Sequence, residues 1–185
     1  MVTLKTVEEA KTHFGRLLER QADRVANVRN QSSPINYAKV DKIIIGIIGG
    51  DGIGPAISAE AQRMLEELLS KEVADSKIEF RLIEGLTIEN RAALGRAIPD
   101  DVLTAIKECH VTLKGPTTTP EQGDEWPNIE SANVAMRKSL DLFANVRPVR
   151  IPSLGIDWTF FRENTEDVYA VGSEGLSLGD LHVDF

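Results

Sequence analysis

The chain has 185 residues, which is enough for one full domain, or for one domain and part of another. Its 21 basic and 29 acidic residues argue against nucleic-acid binding, because that function needs an extended basic surface. A single cysteine, Cys109, excludes an internal disulfide and favours a reducing, cytoplasmic setting. The N-terminus lacks the apolar core of a signal peptide, and the longest apolar run, from Ile43, is too short to span a membrane.

Residues 6 to about 30 predict an amphipathic helix, because their apolar residues recur at spacings of three, four and seven. These apolar residues are Val7, Ala10, Phe14, Leu17, Leu18, Val25 and Val28. The helix either binds a partner or another copy of the chain, or packs on its own domain, and both alternatives stay open. The turn-rich segment NQSSPINY follows, so residues 1–40 are interpreted as a helix and a linker.

Residues 41–142 predict the first part of a large α/β domain. Apolar strands are predicted at Lys42–Ile48, Ile78–Ile83 and Val111–Lys114. The intervening helices are expected to bury Ile57, Ala61, Met64, Leu65 and Leu68 in the first, and Val102, Ala105, Ile106 and Cys109 in the second. This alternation of strands and helices requires right-handed crossovers, and it therefore predicts a parallel sheet.

The turn GGDGIGP follows the first strand, and its glycines permit tight or left-handed backbone. Its spacing, G-x-G-x-G-P, differs from the Rossmann dinucleotide fingerprint because Pro55 stands where the third glycine should be. We therefore do not expect a dinucleotide pyrophosphate to lie directly on this turn.

The segment KGPTTTP follows the third strand, so it shares with GGDGIGP the edge of the sheet where open α/β folds bind ligands. Lys114 and the hydroxyl groups of Thr117, Thr118 and Thr119 are therefore candidates for contact with a polar ligand. The alternative is a rigid loop that only turns the chain.

The segment SANVAMRKSLDLFANVRPVR, residues 131–150, carries four basic residues against one acid in an otherwise acidic chain. Most of the four are arginines, whose planar donors match a carboxylate at two points, so the segment favours a small, multiply anionic ligand. Ser131 lies near a predicted helix N-terminus, and Asn133 and Arg137 share one helix face. The side chains expected to pack this helix on the core are Met136, Leu140 and Phe143.

Pro148 disfavours helical backbone at Arg147, and the next strand is predicted to begin there. Arg162 and Tyr169 follow in the segment RENTEDVY. Each arginine by itself is typical of a solvated surface charge, and Tyr169 of a half-buried strand residue. The binding site is indicated by the whole set, in which serine and asparagine are interleaved with the arginines.

With these residues collected, the sequence resembles the β-decarboxylating dehydrogenases, the family of isocitrate, homoisocitrate and 3-isopropylmalate dehydrogenases. Its motifs occur in the family's order over about residues 41–185, and they are GDGIGP, KGPTTTP, SANVAMRKSLDLFANVRPVR and FRENTEDVYA. The resemblance implies a doubly wound parallel α/β domain that is not of the Rossmann type, with residues 143–185 beginning a smaller second domain. It also implies an active site in the cleft between the domains and across a dimer interface.

The resemblance is closest to isocitrate dehydrogenase. In those enzymes a serine and an asparagine, six and four residues before the first substrate-binding arginine, contact the γ-carboxylate, and here Ser131 and Asn133 stand in those places before Arg137. The alkyl group of 3-isopropylmalate would leave both polar groups unpaired, at a cost of ~1–3 kcal/mol per group. An isocitrate-like tricarboxylate is therefore the expected ligand.

The resemblance also implies a role for each remaining motif residue. Arg137, Arg147 and Arg162 would bind the α- and β-carboxylates, and Tyr169 would donate a proton to the enolate. Lys114 would be a supporting electrostatic residue. The residues expected to approach the nicotinamide end of the coenzyme are Thr118 or Thr119.

The implied reaction is the oxidative decarboxylation of isocitrate to 2-oxoglutarate, with hydride transfer to NAD or NADP and with Mg²⁺ or Mn²⁺ on the substrate. The family's metal ligands, catalytic lysine and adenosine-binding loop follow the part matched here, so the metal ligands are expected mostly outside this chain. Asp180 and Asp184 are four residues apart, but a predicted turn and strand do not direct them to one ion, and no metal site is expected there.

The chain is accordingly interpreted as the N-terminal portion of an isocitrate dehydrogenase that is inactive without a C-terminal half or another copy. The alternative is a non-catalytic module that binds a ligand or a subunit. Turnover of homoisocitrate or 3-isopropylmalate is a third interpretation, and the choice between NAD and NADP stays open.

Overall fold

The computed structural model describes residues 4–30, 35–121, 123–165, 176–178 and 181–183. Tyr169, Asp180 and Asp184 lie outside the described residues. In chain order the helices are α1 (Leu4–Asn30), α2 (Gly54–Leu68), α3 (Ser70–Ala74), α4 (Ile88–Leu94), α5 (Asp100–Lys107) and α6 (Ala132–Ser139). The strands are β1 (Ile43–Ile48), β2 (Ile78–Leu82), β3 (Val111–Lys114), β4 (Ala144–Ile151), β5 (Ile156–Glu163), β6 (Leu176–Leu178) and β7 (Leu181–Val183). Within the described ranges, no helix is both long and apolar enough to cross a membrane.

The chain divides into two compact units, residues 35–140 and residues 1–34 together with 141–185. The first unit is built around a parallel three-stranded sheet with the order β2-β1-β3. The sequence of β1, IIIGII, is apolar almost throughout, as expected of a parallel strand covered on both faces. The predicted α/β class and parallel sheet are confirmed.

The carboxyl ends of β1 and β3 lie side by side. Ile48 at the end of β1 is paired with Lys114 at the end of β3, and the amide of Gly115 donates to the carbonyl of Ile48 at 2.8 Å. The segments GGDGIGP and KGPTTTP therefore leave the sheet at the same edge, as the parallel topology required.

The core of this unit lies between β1, the segment after β2, α5 and α6. Its buried residues are Ile48, Ile83, Leu86, Ile98, Val102, Ile106, Ala132, Ala135 and Met136. Cys109 packs against this cluster, and its thiol donates to the carbonyl of Ala105 at 3.3 Å. Burial raises the pKa of the Cys109 thiol, which fits the predicted role of a core thiol rather than a nucleophile.

The buried face predicted for α2 is wrong at three of its five residues, while Ala61 and Leu65 are half-buried. Ile57, Met64 and Leu68 are 48%, 61% and 74% exposed, whereas Gly54 and Ser58 are the buried residues of the helix. The small residues at 54 and 58 allow the first turns of α2 to approach the loops after β1 and β3 closely. Backbone proximity at its N-terminus therefore sets the rotation of the helix, and the most apolar stripe is left exposed.

Helix α6 forms where it was predicted, and Met136 and Leu140 pack on the core. The prediction for Phe143 is wrong, because this side chain is 53% exposed and lies beyond the helix. The helix ends at Ser139, and Asp141 adopts a left-handed conformation with φ 50°, so the chain leaves the helical path before it reaches Phe143.

In the second unit, β4 and β5 form an antiparallel ribbon that is paired from Ala144–Glu163 to Ile151–Ile156. Strand β4 begins before Arg147 rather than at it, and Pro148 lies in mid-strand opposite Thr159. Among the described strands β4 has one neighbour, so the missing N–H of Pro148 can face away from the ladder.

Helix α1 belongs to the same unit and lies against β6. Leu17 is its buried apolar residue, and the Arg24 guanidinium donates from Nε to Oδ1 of Asp141 at 2.7 Å and from Nη2 to Oγ1 of Thr165 at 3.1 Å. These contacts support the interpretation of a helix that packs on its own unit. Phe14, Leu18 and Val28 of the predicted apolar face remain 45–54% exposed.

The close approach of the two strand-end loops predicts a specific packing defect. A Cβ atom on Gly115 would overlap the carbonyl oxygen of Gly49 and lie 2.9 Å from Oγ of Ser58. We expect Gly115→Ala to lower the free energy of unfolding by on the order of 1–3 kcal/mol, measured by urea unfolding followed by circular dichroism.

The matched control is Gly15→Ala in α1, where no atom lies within 4 Å of the added methyl group. Alanine is the better helix former, so this control should be neutral or stabilising by up to about 1 kcal/mol. Equal stability of Gly115→Ala and the unsubstituted chain would show that the loops are not in contact.

Candidate functional site

The loops after β1 and β3 are bound directly to each other. The amide of Asp51 donates to the carbonyl of Pro116 at 2.8 Å, and Gly50 has a positive φ of 73° beside the same carbonyl. A side chain at Gly50 would overlap the carbonyl oxygen of Pro116. At least two of the glycines in GGDGIGP, Gly50 and Gly54, are therefore required for loop packing, which accounts for them without a bound pyrophosphate.

The carboxylate of Asp51 joins two further segments at this edge. Its Oδ1 accepts from the amide of Ile88, the first residue of α4, and its Oδ2 accepts from the amide of Thr118, each at 2.7 Å. A negative charge is favourable at the first turn of a helix, which reinforces the bond to Ile88. Both carboxylate oxygens are thus used to hold backbone.

Arg91 of α4 is fully buried, at 0% exposure. Its guanidinium donates from Nε to the carbonyl of Ala97 at 2.8 Å, from Nη1 to that of Thr118 at 2.8 Å, and from Nη2 to that of Glu130 at 3.1 Å. Burial lowers the pKa of Arg91, and the negative charge of Asp51 opposes this effect. The side chain therefore connects the α4–α5 loop, the KGPTTTP segment and the segment that leads into α6.

Lys114 points its charge into the KGPTTTP loop. Its Nζ donates to the carbonyl of Gly115 at 2.6 Å and to Oγ1 of Thr117 at 3.2 Å. Burial lowers the pKa of Lys114, and the positive charges of Arg91 and Arg137 lower it further, while Asp51 acts in the opposite direction. Lys114 and Arg137 therefore contribute to one positive region at this end of the unit.

Ser131, Asn133 and Arg137 lie on or next to α6 in this same unit. Ser131 is the residue before the helix and makes no capping hydrogen bond through its side chain. Asn133 is exposed and Arg137 is half-buried, and the two are one turn apart on the same face. In the described part of the chain Arg137 makes no ion pair. These three side chains can therefore present a hydroxyl, an amide and a guanidinium to a ligand.

Arg147 and Arg162 lie on the β4–β5 ribbon of the other unit. Asn145 is paired with Arg162 across the ribbon, and Nε of Arg147 donates to Oδ1 of Asn145 at 3.2 Å. Residues 145 and 147 point to the same side of β4, so both arginines share one face of the ribbon with Asn145. Both are exposed, as expected of side chains that bind a ligand rather than pack a core.

The predicted site residues thus form two groups, each within its own unit. Thr118 and Thr119 have exposed side chains, although the Thr118 backbone is held at both its amide and its carbonyl. Tyr169 lies outside the described residues. The roles assigned to these residues by resemblance stay predictions.

Three residues at the site were missed by the reasoning from sequence. Asp51 lies inside the GGDGIGP motif, where only the glycines and the proline drew interpretation. Arg91 is typical of an exposed helix charge in its sequence context, and nothing local indicates that it is buried. Asn145 could have been found, because it precedes Arg147 by two residues and therefore shares its face on a strand.

The described residues contain no group of three histidine, cysteine, aspartate or glutamate side chains that could hold a metal ion. Asp51, the acid closest to the loops, already uses both oxygens to accept backbone amides. These residues therefore do not fit a complete metal site.

The chain is similar in sequence to known proteins. A sequence profile of the isocitrate/isopropylmalate dehydrogenase family matches residues 44–178. The NADP isocitrate dehydrogenase of Caldococcus noboribetus is 39% identical over 140 residues, which are 70% of this chain and 31% of that enzyme. The corresponding enzyme of Archaeoglobus fulgidus is 42% identical over 140 residues, 70% of this chain and 32% of that enzyme.

The NADP isocitrate dehydrogenase of Staphylococcus epidermidis is 40% identical over 138 residues, 69% of this chain and 31% of that enzyme. The chain thus spans about a third of the length of the curated relatives that it matches. The profile match covers GDGIGP, KGPTTTP, the arginine-rich segment and FRENTEDVYA, which are the motifs that carried the resemblance. The chain therefore belongs to the isocitrate/isopropylmalate dehydrogenase family.

Proposed function

We propose that the chain supplies the N-terminal portion of an NAD(P)-dependent isocitrate dehydrogenase, which converts isocitrate to 2-oxoglutarate when the remaining part of the fold is present. The observation that carries the proposal is the arginine pair on one ribbon face, which also carries Asn145 as a hydrogen-bond partner of Arg147. The relatives at 39–42% identity, all named as NADP isocitrate dehydrogenases, support the same reaction.

Charge and polarity favour a tricarboxylate as the ligand. Arg137, Arg147 and Arg162 offer three forks of donors, each of which can bind one carboxylate at two points. Ser131 and Asn133 add a hydroxyl and an amide next to Arg137. An alkyl group placed on these two polar side chains would leave them unpaired, at a cost of ~1–3 kcal/mol each, so isocitrate is favoured over 3-isopropylmalate.

In this proposal the chain's own residues bind and orient the substrate. Arg137, Arg147 and Arg162 hold the α- and β-carboxylates, and the positive region around Lys114 attracts the anion and stabilises negative charge that develops on it. Tyr169 donates the proton that completes the reaction. The exposed hydroxyl groups of Thr118 and Thr119 contact the nicotinamide end of the coenzyme.

The proposed coenzyme is NAD or NADP, with NADP favoured by the names of the relatives, and its nicotinamide ring accepts the hydride. The divalent ion is Mg²⁺ or Mn²⁺. As the family resemblance implies, its ligands are proposed to come mostly from outside this chain, including another copy in an oligomer.

The first experiment pairs the chain with a C-terminal fragment of a family member and follows NAD(P)H absorbance with isocitrate and Mg²⁺. We expect turnover from the pair and none from either part alone. Homoisocitrate and 3-isopropylmalate serve as alternative substrates. Binding of isocitrate without turnover in any pairing would favour a non-catalytic, ligand-binding module.

The second experiment compares Arg147→Gln with Arg150→Gln in the active pair. Both arginines lie on β4, but they point to opposite faces of the ribbon, and Nε of Arg150 lies 3.7 Å from Oδ2 of Asp157, an exposed acid. We expect Arg147→Gln to lower kcat/KM for isocitrate about 10- to 100-fold, because a charged hydrogen bond to the substrate is lost, and Arg150→Gln to leave it unchanged. Equal effects of the two substitutions on kcat/KM would show that Arg147 does not bind the substrate.

The third experiment tests the environment of Lys114. Its pKa is lowered from 10.5 in the folded chain, so between that lowered value and 10.5 the unfolded chain binds more protons and stability rises with pH. We expect the unsubstituted chain to gain stability relative to Lys114→Met as the pH rises from neutral towards 10.5, measured by urea unfolding. If the difference in free energy of unfolding between the two proteins stayed constant or fell as the pH rose, it would contradict a half-buried Lys114 close to Arg91 and Arg137.

A further inference from the structure

The peptide groups on either side of Thr118 are held by two charged side chains of opposite sign. The Thr118 amide donates to Oδ2 of Asp51 at 2.7 Å, and the Thr118 carbonyl accepts from Nη1 of Arg91 at 2.8 Å. Hydrogen bonds to charged groups are stronger than those between neutral groups, so the backbone of this exposed loop is fixed at one residue on two sides. Thr118 is also the residue proposed to contact the coenzyme.

Asp51 and Arg91 differ in their other hydrogen-bond partners. Asp51 uses its second oxygen for the amide of Ile88, which anchors it to α4. Arg91 uses its remaining donors for the carbonyls of Ala97 and Glu130. Glu130 directly precedes Ser131, so Arg91 connects the KGPTTTP loop to the segment that leads into α6. Asp51 instead connects the KGPTTTP loop to the start of α4.

We propose that Asp51 and Arg91 are positioning residues of the site, a pair that sets the place of the Thr118 backbone, with Arg91 also setting the place of the segment before Ser131. The hydrogen bonds of Asp51 and Arg91 do not depend on the proposed function. The inference rests on that function only for the ligands assigned to Thr118 and Ser131. Neither side chain is assigned contact with the substrate or coenzyme, because both are occupied with backbone groups.

The chemistry of the two residues matches this role closely. A guanidinium carries five N–H donors in a rigid plane, and it can therefore reach three carbonyls in three directions, which the ammonium group of lysine cannot reproduce at the same positions. A carboxylate can accept two amides at once. Asparagine has one oxygen and would leave either the Ile88 or the Thr118 amide without its acceptor.

Full burial separates Arg91 from the ordinary surface charges of the chain. Arg96, only five residues later, pairs with Asp100 at 2.9 Å, but those two side chains are 59% and 77% exposed. Surface pairs of this kind contribute little to stability. The Arg96–Asp100 pair is therefore a matched control, with the same residue types in the same part of the chain but no contact with either loop.

The decisive experiment uses NMR on the chain itself, with the variants Asp51→Asn and Arg91→Lys and the controls Asp100→Asn and Arg96→Lys. In Asp51→Asn we expect hydrogen exchange of the Thr118 amide, or of the Ile88 amide if the remaining oxygen stays on Thr118, to be at least about tenfold faster, while amides of β1 and β3 keep their rates. In Arg91→Lys we expect the ¹³C shifts of the Thr118 and Glu130 carbonyls to change together. The controls should show neither effect.

The same variants in the active pair give a second readout. Asp51→Asn should raise KM for the coenzyme about 10-fold and leave KM for isocitrate unchanged, because Asp51 makes no hydrogen bond to the segment before Ser131. Arg91→Lys should raise both KM values. A purely structural role would instead lower the amount of active enzyme, and therefore kcat, without this separation between the two ligands.

Each outcome decides a stated point. Unchanged exchange of both the Thr118 and the Ile88 amides in Asp51→Asn, or acceleration spread evenly over β1 and β3, overturns the positioning role. Changed exchange with unchanged KM values in an active pair also overturns it. If Arg91→Lys does not fold, the Asp51→Asn data decide the result. If no pair is active even without substitution, the proposed function fails, and the NMR data still decide whether the two side chains position the loops.

Discussion

The site depends on the contact between two backbone loops at the carboxyl edge of the sheet. Gly50 and Gly115 have no side chains, and the loops after β1 and β3 approach closely enough to share direct backbone hydrogen bonds. This proximity brings the Asp51 carboxylate within reach of the Thr118 amide. Gly50 and Gly54 of GGDGIGP are thus explained by the packing of one loop on another.

This edge of the sheet carries a cluster of positive side chains, although the net charge of the whole chain is −8. Burial lowers the pKa of Lys114, and the positive charges of Arg91 and Arg137 lower it further. Nearby positive charge is unfavourable in an empty protein and becomes favourable when an anion binds between the groups. A polyanionic ligand would relieve this repulsion, in agreement with the proposed tricarboxylate.

The exposed apolar stripe on α2 shows how local requirements compete in this fold. Ile57, Met64 and Leu68 would stabilise the unit if they were buried, yet Gly54 and Ser58 occupy the buried face. The tight packing of the first turn against the loops decides the rotation of the helix. The apolar residues of a helix are therefore candidates for burial. The packing of the helix ends decides which face of the helix is buried.

The sequence by itself determined the α/β class, the parallel strands and the family, because periodicity and motif spacing are local properties of the chain. It also identified the arginines of the ribbon as binding candidates. Only the tertiary structure revealed that Arg91 is fully buried and bonded to carbonyls 6, 27 and 39 residues away, and that Asp51 joins two distant amides. The physical reason is that hydrogen bonds between distant segments depend on how the elements pack, and no local pattern encodes that packing.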